Sequence, residues 1–270
     1  MRSRHIRMTF EEYELLPREP GWKCEYWDGH AHLSPRHQSA LATIEVKPRP
    51  VDPSCLLRPV SPDDEAQFLP IYFAAFGDTI EYCDYQPKKI KALAREALRG
   101  FFTGARGQPL TASRLAVASP SAGEAGEERV VGAALIVAKD DGAPMLDLLF
   151  VSPDCQRRGL ATALVSASIN ELHQRGEPRL LTRYHVGNEQ SRAWHRKFGF
   201  VEEPDLMLAR LYLAVARHEL RRREKMGDLT PSEREALLSE RERWRAQVDE
   251  LEKVADEQGF EAAMPGLRYW

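Results

Sequence analysis

The feature that most constrains the fold is a turn at residues 151–161, Val-Ser-Pro-Asp-Cys-Gln-Arg-Arg-Gly-Leu-Ala, which lies between two regular elements. The run before it, residues 145–151, is short, apolar and closed by Pro153, which predicts a buried strand. After the turn, apolar residues recur at helical spacing: Leu160, Leu164, Ala167 and Leu172. A helix start leaves backbone N–H groups without intrahelical partners at the positive end of the helix dipole. The turn therefore predicts a binding site for a pyrophosphate.

Side chains in this turn fit the same prediction. Gly159 lets the backbone approach phosphate oxygens with no Cβ in the way. Arg157 and Arg158 can donate charge-assisted hydrogen bonds to the same oxygens. The alternative is a turn with a purely structural role.

Two segments of the chain resemble a known family. Residues 156–161, Gln-Arg-Arg-Gly-Leu-Ala, resemble the acyl-CoA signature of the GNAT superfamily of N-acetyltransferases, which follows a Val-x-Pro strand end. Residues 188–200, Asn-Glu-Gln-Ser-Arg-Ala-Trp-His-Arg-Lys-Phe-Gly-Phe, are similar to that family's Asn-x-x-Ala-x-x-Phe-Tyr-x-Lys-x-Gly-Phe segment. The resemblance covers about residues 56–203, and the order of the two segments is the expected one.

The pattern of elements predicts an α/β (α+β) fold, a GNAT-like mixed and mostly antiparallel sheet flanked by helices. We expect strands at 56–60, 114–119, 129–139, 145–151 and 179–186. We expect helices at 62–76, 88–102, from 160 to near 176, and 188–198. An exposed hairpin loop at 120–128 joins the second and third strands.

Three domains are expected, at residues 1–50, 51–204 and 205–270. In the first, a capping box at Thr9–Glu12 predicts a short helix over 10–16, and Asp28-Gly29 predicts the turn of a β-hairpin. A further strand at 40–46 precedes a proline-rich connector. We expect this segment to be a small cap on the acetyltransferase domain.

The cap has a resemblance of its own. Residues 8–13, 26–29 and 34–37 resemble the opening of a bacterial family with a restriction-endonuclease-like fold. That fold needs a later Asp and a Glu-x-Lys pair, which Glu45-Val46-Lys47 matches only superficially. We therefore expect no nuclease site in this region.

The C-terminal segment departs from the family, which usually closes with further strands. One face of residues 205–220 carries a heptad seam of Leu206, Ala209, Leu213, Ala216 and Leu220. Thr230, Pro231 and Glu233 then predict the start of a second helix, whose seam is Trp244, Val248, Leu251 and Ala255. We expect an antiparallel helical hairpin at 205–257, either folded on the sheet edge or pairing with a second subunit as a homodimer.

The composition of the chain argues against nucleic acid, membranes and metal ions as partners. The formal net charge is −3 with 29% charged residues, so no global field favours nucleic acid or a membrane surface. No apolar run is long enough to span a membrane, and residues 1–7 lack an apolar signal core. The four cysteines have no paired spacing, which is typical of free thiols, and we expect a cytoplasmic location. His30, His32 and His37 lack a closing ligand, and no metal site is expected.

The resemblance implies a set of acetyl-CoA contacts. Backbone groups of Leu149, Phe150 and Val151 would pair with the pantetheine arm and polarise the thioester carbonyl. The diphosphate would lie on the turn residues Gln156, Arg157, Arg158, Gly159, Leu160, Ala161 and Thr162. Asn188 corresponds to a family residue that contacts the cofactor near its arm.

Catalytic roles follow from the same resemblance. The family's usual Tyr corresponds to His195, whose imidazolium is acidic enough to protonate a thiolate. The alternative is an ordinary exposed or capping residue, with solvent as the acid. Asp147 lies where the family often places a carboxylate that accepts a proton from the amine, directly or through a water. Independently, a single acid in an otherwise apolar strand is costly to bury, which favours a functional role. It could equally face solvent or a neighbouring arginine.

The acceptor is expected at the loop of residues 77–87, which joins the first two helices of the domain. Asp78, Glu81 and Asp84 are interleaved with tyrosines and could hold a cationic amine, or the loop could simply be solvated. The resulting hypothesis is an acetyl-CoA-dependent N-acetyltransferase acting on a small-molecule or protein amine. The alternative is a non-catalytic acyl-CoA-binding and assembly module.

Overall fold

The structure, a computed structural model, describes residues 1–118, 128–264 and 266. Its strands are β1 (Arg4–Arg7), β2 (Trp22–Trp27), β3 (His30–Pro35), β4 (Ser39–Glu45), β5 (Leu56–Pro59), β6 (Gln108–Pro109), β7 (Arg114–Val117), β8 (Val130–Ala138), β9 (Pro144–Val151), β10 (Arg179–His185) and β11 (Val201–Glu203). Its α-helices are α1 (Phe10–Glu14), α2 (Glu65–Phe76), α3 (Pro87–Phe102), α4 (Leu160–Gln174), α5 (Glu189–Phe198), α6 (Leu206–Met226) and α7 (Pro231–Gln258).

The strands form two sheets. The smaller is antiparallel with the order β1-β3-β2, and the larger has the order β11-β4-β10-β9-β8-β7-β5, with β6 also pairing β8. In the larger sheet β5–β7, β7–β8 and β8–β9 are antiparallel, whereas β9 and β10 are parallel. This confirms the predicted mixed, mostly antiparallel sheet with flanking helices. β4, which lies within the range 1–50, is a strand of the larger sheet.

The described residues group into two compact units. One contains Ala42–Arg183 and Trp194–Val201. Its centre is β8, where eight consecutive residues, 130–137, are buried. Helix α4 covers the sheet with Leu164, Ile169 and Leu172, all at 0% exposure, because the apolar residues recur at helical spacing. Such burial of large aliphatic side chains stabilises each by about 1.5–3 kcal/mol.

The other unit contains Met1–Leu41, Tyr184–Ala193 and Glu202–Trp270. The predicted capping box at Thr9 and Glu12 is confirmed at the start of α1. The predicted hairpin is confirmed as well: β2 and β3 pair in register through Asp28 and Gly29, whose φ angles of 49° and 69° suit a type I′ turn.

The C-terminal helical hairpin is confirmed as two antiparallel helices. Arg210 of α6 pairs with Glu252 of α7 at 2.7 Å, while Arg223 near the end of α6 pairs with Glu233 near the start of α7 at 3.2 Å. The predicted seam of α6 is buried: Leu206, Ala209, Leu213, Ala216 and Leu220. Against it pack Val248 and the half-buried Trp244, Leu251 and Ala255 of α7. Thr230, Pro231 and Glu233 form the predicted helix start.

Two short strands, β1 and β6, were not predicted from the sequence. β1 consists of four exposed residues and carries no apolar alternation, and β6 is two residues long. The predicted strands extend past the observed ends by one described residue at Val117 and by one at His185, and Ser119 lies outside the described residues. The predicted loop at 120–128 lies outside the described residues except for Glu128. The three-domain division stays a prediction. No helix within the described ranges is long and apolar enough to cross a membrane.

Candidate active site

Strand β9 contains a bulge at Asp147. β9 pairs with β8 as Leu135–Leu148 and then as Ile136–Leu146, so Asp147 is the additional residue. A bulge bends its strand and re-aims the side chain at that position. An acid that would otherwise be costly in an apolar strand is thereby placed in a polar cluster.

β9 and β10 are paired over only part of their length. Among the described residues the parallel register comprises two pairs, Leu181–Met145 and Thr182–Leu146, whereas β9 continues to Val151. Backbone polar groups on that side of residues 148–151 therefore lack a strand partner. Such groups need a hydrogen-bonding partner, and an extended ligand lying along β9 would provide one. This agrees with the contacts expected for Leu149 and Val151. It does not agree for Phe150: the N–H of Ser152 donates to Val131 of β8, and hydrogen-bonded residues alternate along an antiparallel pair, so the backbone groups of Phe150 face Ala133 of β8.

The turn after β9 presents a row of backbone donors. The side chain of Gln156 donates to the carbonyl of Val151 at 3.0 Å, which ties the turn to the strand end. The first backbone bond of α4 runs from the N–H of Ala163 to the carbonyl of Gly159 at 2.9 Å. Across the described residues, no acceptor pairs with the N–H groups of Arg157, Arg158, Gly159, Leu160, Ala161 and Thr162.

Positive φ angles shape this turn. Arg157 has a φ of 60° and Gly159 a φ of 82°, so Gly159 is required by its conformation. A Cβ built on Gly159 would meet no atom within 4 Å, which shows that the space beside the turn is open. Residues 156–159 are exposed. Open backbone donors at the N-terminus of a 15-residue helix are the arrangement that binds a diphosphate.

His195 is buried, not exposed, and lies where the pairing of β9 and β10 ends. It is 5% exposed, with its ring packed edge-on against Phe200 at 5.2 Å. Its Nε2 is 3.3 Å from Oγ1 of Thr182, and that hydroxyl donates to the carbonyl of Leu146 at 3.4 Å. A histidine in this place is held in one orientation beside the parting strands. Its role as an acid stays a prediction.

Trp194 and Asn188, at helix α5, each make a side-chain hydrogen bond. The indole N–H of Trp194 donates to Oγ1 of Thr162 at 3.4 Å, which links α5 to the first turn of α4. Asn188 accepts the N–H of Ser191 on its Oδ1 at 3.0 Å, so its side chain caps α5. The predicted contact of Asn188 with a cofactor stays a prediction.

Asp147 forms a bidentate ion pair with Arg106. Nε of Arg106 donates to one carboxylate oxygen at 2.6 Å and Nη2 donates to the other at 2.9 Å. The Asp147 side chain is 5% exposed. Of the alternatives for this residue, the structure shows the neighbouring arginine. Arg106 engages both carboxylate oxygens, and a role of Asp147 as base stays a prediction.

The acceptor loop contains a short 3-10 helix, Ile80–Tyr82, anchored by the buried Ile80. Asp78 and Asp84 are exposed and Glu81 is half-buried. Lys89 already lies 3.9 Å above the ring of Tyr85, so that ring face holds a cation from the chain itself. The hydroxyls of Tyr72 and Tyr82 are 2.9 Å apart, and burial raises the pKa of both. The binding of an amine by the three acids stays a prediction.

Three residues of this site were not predicted from the sequence: Arg106, Lys139 and Tyr72. Lys139 donates from Nζ to the backbone carbonyl of Arg106 at 3.0 Å. Neither residue belongs to a recognisable motif, and Arg106 lies 41 residues before its partner. In the sequence, the lone acid of the apolar strand β9 was a signal for a cation nearby. No cluster of three or more His, Cys, Asp or Glu placed to hold a metal ion occurs in the described ranges.

A known protein family matches the central part of the chain. Residues 93–200 match the family model described as the Acetyltransferase (GNAT) family. This supports a GNAT acetyltransferase domain over that segment and does not extend to the N-terminal or C-terminal additions. No curated protein sequence is significantly similar to this chain. The resemblance of the N-terminal residues to a restriction-endonuclease-like family stays a prediction.

Solved structures with a similar fold include a GCN5-related N-acetyltransferase from Sphaerobacter thermophilus, with 16% identity and a TM-score of 0.43 over 61% of this chain and 48% of that one. The ribosomal-protein-S18-alanine N-acetyltransferase from Escherichia coli has 20% identity and a TM-score of 0.39 over 56% of this chain and 79% of that one. AAC(6')-Iy, in complex with a CoA-containing bisubstrate analogue, has 14% identity and a TM-score of 0.37 over 56% and 92%. The chain spans about half the length of the first of these.

Proposed function

We propose that this protein is an acyltransferase that moves the acetyl group of acetyl-CoA to an amine of a small molecule or a protein. The observation that supports it most is the row of amides at 157–162, for which no acceptor is found among the described residues, together with the open edge of β9 beyond its pairing with β10. The amides suit a diphosphate, and the free strand edge suits an amide-containing arm attached to it. A family match over residues 93–200 agrees with both.

When bound, acetyl-CoA supplies the thioester whose C–S bond breaks as the acceptor nitrogen forms its bond to the carbonyl carbon. The residues of the chain orient the thioester, stabilise developing charge on its carbonyl oxygen and transfer protons. The backbone N–H groups of Leu149 and Val151, which face away from β8, would stabilise negative charge on a carbonyl oxygen. The nitrogen must lose a proton and the departing sulfur must gain one. His195, fixed beside Thr182 at the parting strands, is the residue assigned to the sulfur.

The base is assigned to Asp147, and Arg106 engages both of its oxygens in the structure. Asp147 would act through a water or after Arg106 has been drawn to the substrate. The free cysteines agree with the cytoplasmic location that forms part of this proposal.

One observation favours the second candidate, a non-catalytic acyl-CoA-binding module. The residues expected as acid and base are both engaged in internal contacts, His195 with Thr182 and Asp147 with Arg106. An intact nucleotide turn with occupied catalytic groups would bind the thioester and leave it unreacted.

Thiol release separates the two candidates. Purified protein is incubated with acetyl-CoA and, in turn, polyamines, amino acids, aminoglycosides and peptides, and acetylated products are identified by mass spectrometry. Acceptor-dependent thiol release supports the transferase. Saturable binding of acetyl-CoA without turnover on any acceptor class contradicts it and supports the binding module.

A further inference from the structure

Arg106 is fixed in position by four separate contacts. Its backbone N–H donates to the carbonyl of Gly100 at 3.2 Å, and its own carbonyl accepts from Lys139 at 3.0 Å. Its side-chain stem crosses α3 at Gly100, where an added Cβ would lie 2.9 Å from Cγ of Arg106. Its guanidinium ends on Asp147. Because the backbone, the side-chain stem and one edge of the guanidinium of Arg106 are all held, the other edge of the guanidinium is also fixed in position.

That free end is a donor without an acceptor. Nε and Nη2 of Arg106 are used by Asp147, whereas no residue in the described part of the chain accepts from Nη1. The Arg106 side chain is 39% exposed, and Asp147 is 5% exposed. The carboxylate therefore holds the inner edge of the guanidinium and leaves the outer edge accessible. An arginine offers its five donors in a rigid fork that matches carboxylates.

The free end also lies close to the reaction site. Asp147 is the bulge residue, directly after Leu146, where the pairing with Thr182 and thus the contact to His195 is made. Lys139 contacts the backbone carbonyl of Arg106 at 3.0 Å. Burial lowers the pKa of Lys139; Asp147 and Asp140 oppose this change, whereas Arg106 and Arg183 add to it. Asp147 is already paired with Arg106, and around Lys139 the cations Arg106 and Arg183 accompany the acids Asp147 and Asp140. With Lys139 itself, the cations outnumber these acids, which disfavours an alkyl ammonium at this position and favours an anion.

We propose that the outer edge of Arg106, supported by Lys139, binds a carboxylate of the substrate. This inference rests on the proposed function and names the class of its substrate: either the acceptor amine or the acyl group carries a carboxylate. Asp147 holds Arg106 in position for this contact.

Paired ligands that differ only in the carboxylate test this. In the first arm, calorimetry compares binding of an amino acid and its carboxamide to CoA-saturated protein. In the second arm, it compares succinyl-CoA with acetyl-CoA. The carboxylate ligand is expected to bind about tenfold or more tightly in one arm, since a charge-assisted bond is involved. The arm that responds identifies which substrate carries the group.

The variant is Arg106→Gln combined with Asp147→Asn, because Arg106→Gln alone would leave a buried carboxylate unpaired. Arg99→Gln, an exposed arginine of α3, removes a charge elsewhere and is the matched control. The double variant should lose the preference for the carboxylate ligand while its affinity for CoA itself stays within about twofold of wild type.

The outcomes are distinct. Equal affinities within both pairs for the wild-type protein overturn the inference, as does a preference that survives in the double variant or disappears equally in Arg99→Gln. Failure of the proposed function shows itself otherwise, as absence of CoA binding or of thiol release. A preference for succinyl-CoA that depends on Arg106 would support the inference even in a protein with no turnover.

Discussion

Replacing Gly159 by alanine separates the conformational need for this glycine from its need in binding. Gly159 has a φ of 82° and Gly176, at the other end of α4, a φ of 76°. A Cβ at either position would meet no atom within 4 Å. Alanine in the left-handed region costs about 1–2 kcal/mol, so Gly159→Ala and Gly176→Ala should lower the free energy of unfolding by similar amounts.

Binding should distinguish them, because only Gly159 lies among the free amides. A Cβ there would keep a diphosphate from at least one backbone donor, and a charge-assisted hydrogen bond contributes about 1.5–3 kcal/mol. The Kd for CoA should therefore rise about 10- to 100-fold in Gly159→Ala and stay near wild type in Gly176→Ala. Calorimetric titration measures the affinities, and urea unfolding measures the stabilities. Equal affinities in the two variants would refute the assignment of the turn to a diphosphate.

Three further expectations concern single residues. His195→Phe should lower turnover about 100-fold with little change in the Kd for acetyl-CoA; unchanged turnover would remove His195 from the mechanism. Burial lowers the pKa of His218, whose Nε2 donates to the carbonyl of Leu16 at 2.8 Å, below its ordinary value of 6.5. Because the unfolded chain then binds the extra proton, this contribution to stability is present above pH 6.5 and is lost as the pH falls towards the folded pKa. Between pH 7.5 and 5.5 the wild type should lose more thermal stability than His218→Gln, and equal losses would contradict this. Thr230→Ala should lower the free energy of unfolding by about 1 kcal/mol, since it removes the cap of α7; urea unfolding with no measurable change would contradict the role of that cap.

The sequence predicted those parts of the fold that depend on neighbouring residues. Asp28 and Gly29 made a hairpin because both tolerate positive φ, and Thr230 with Glu233 started α7 because their side chains satisfy the first free amides. The turn at Gly159 has the same local character. β1 could not be predicted, since its four exposed residues carry no apolar alternation and are ordered by pairing with β3, which is distant in sequence.

The chemistry of the site was less predictable, for a physical reason. Asp147 could be recognised as unusual because its strand is otherwise apolar. Its partner Arg106 follows helix α3, 41 residues earlier in the chain, and the two side chains meet only after folding. The bulge that re-aims Asp147 depends on its register with β8, which no local pattern encodes. His195 was expected at the surface as one alternative, yet packing against Phe200 buries it.

The most direct measurement compares CoA with pantetheine, which shares the arm but has neither the diphosphate nor the nucleotide. Calorimetry on folded wild-type protein should show saturable binding of CoA at one site and binding of pantetheine at least about 100-fold weaker, because the amides at 157–162 then lack their ligand. Equal affinities for the two compounds, or no heat with CoA, would contradict the account.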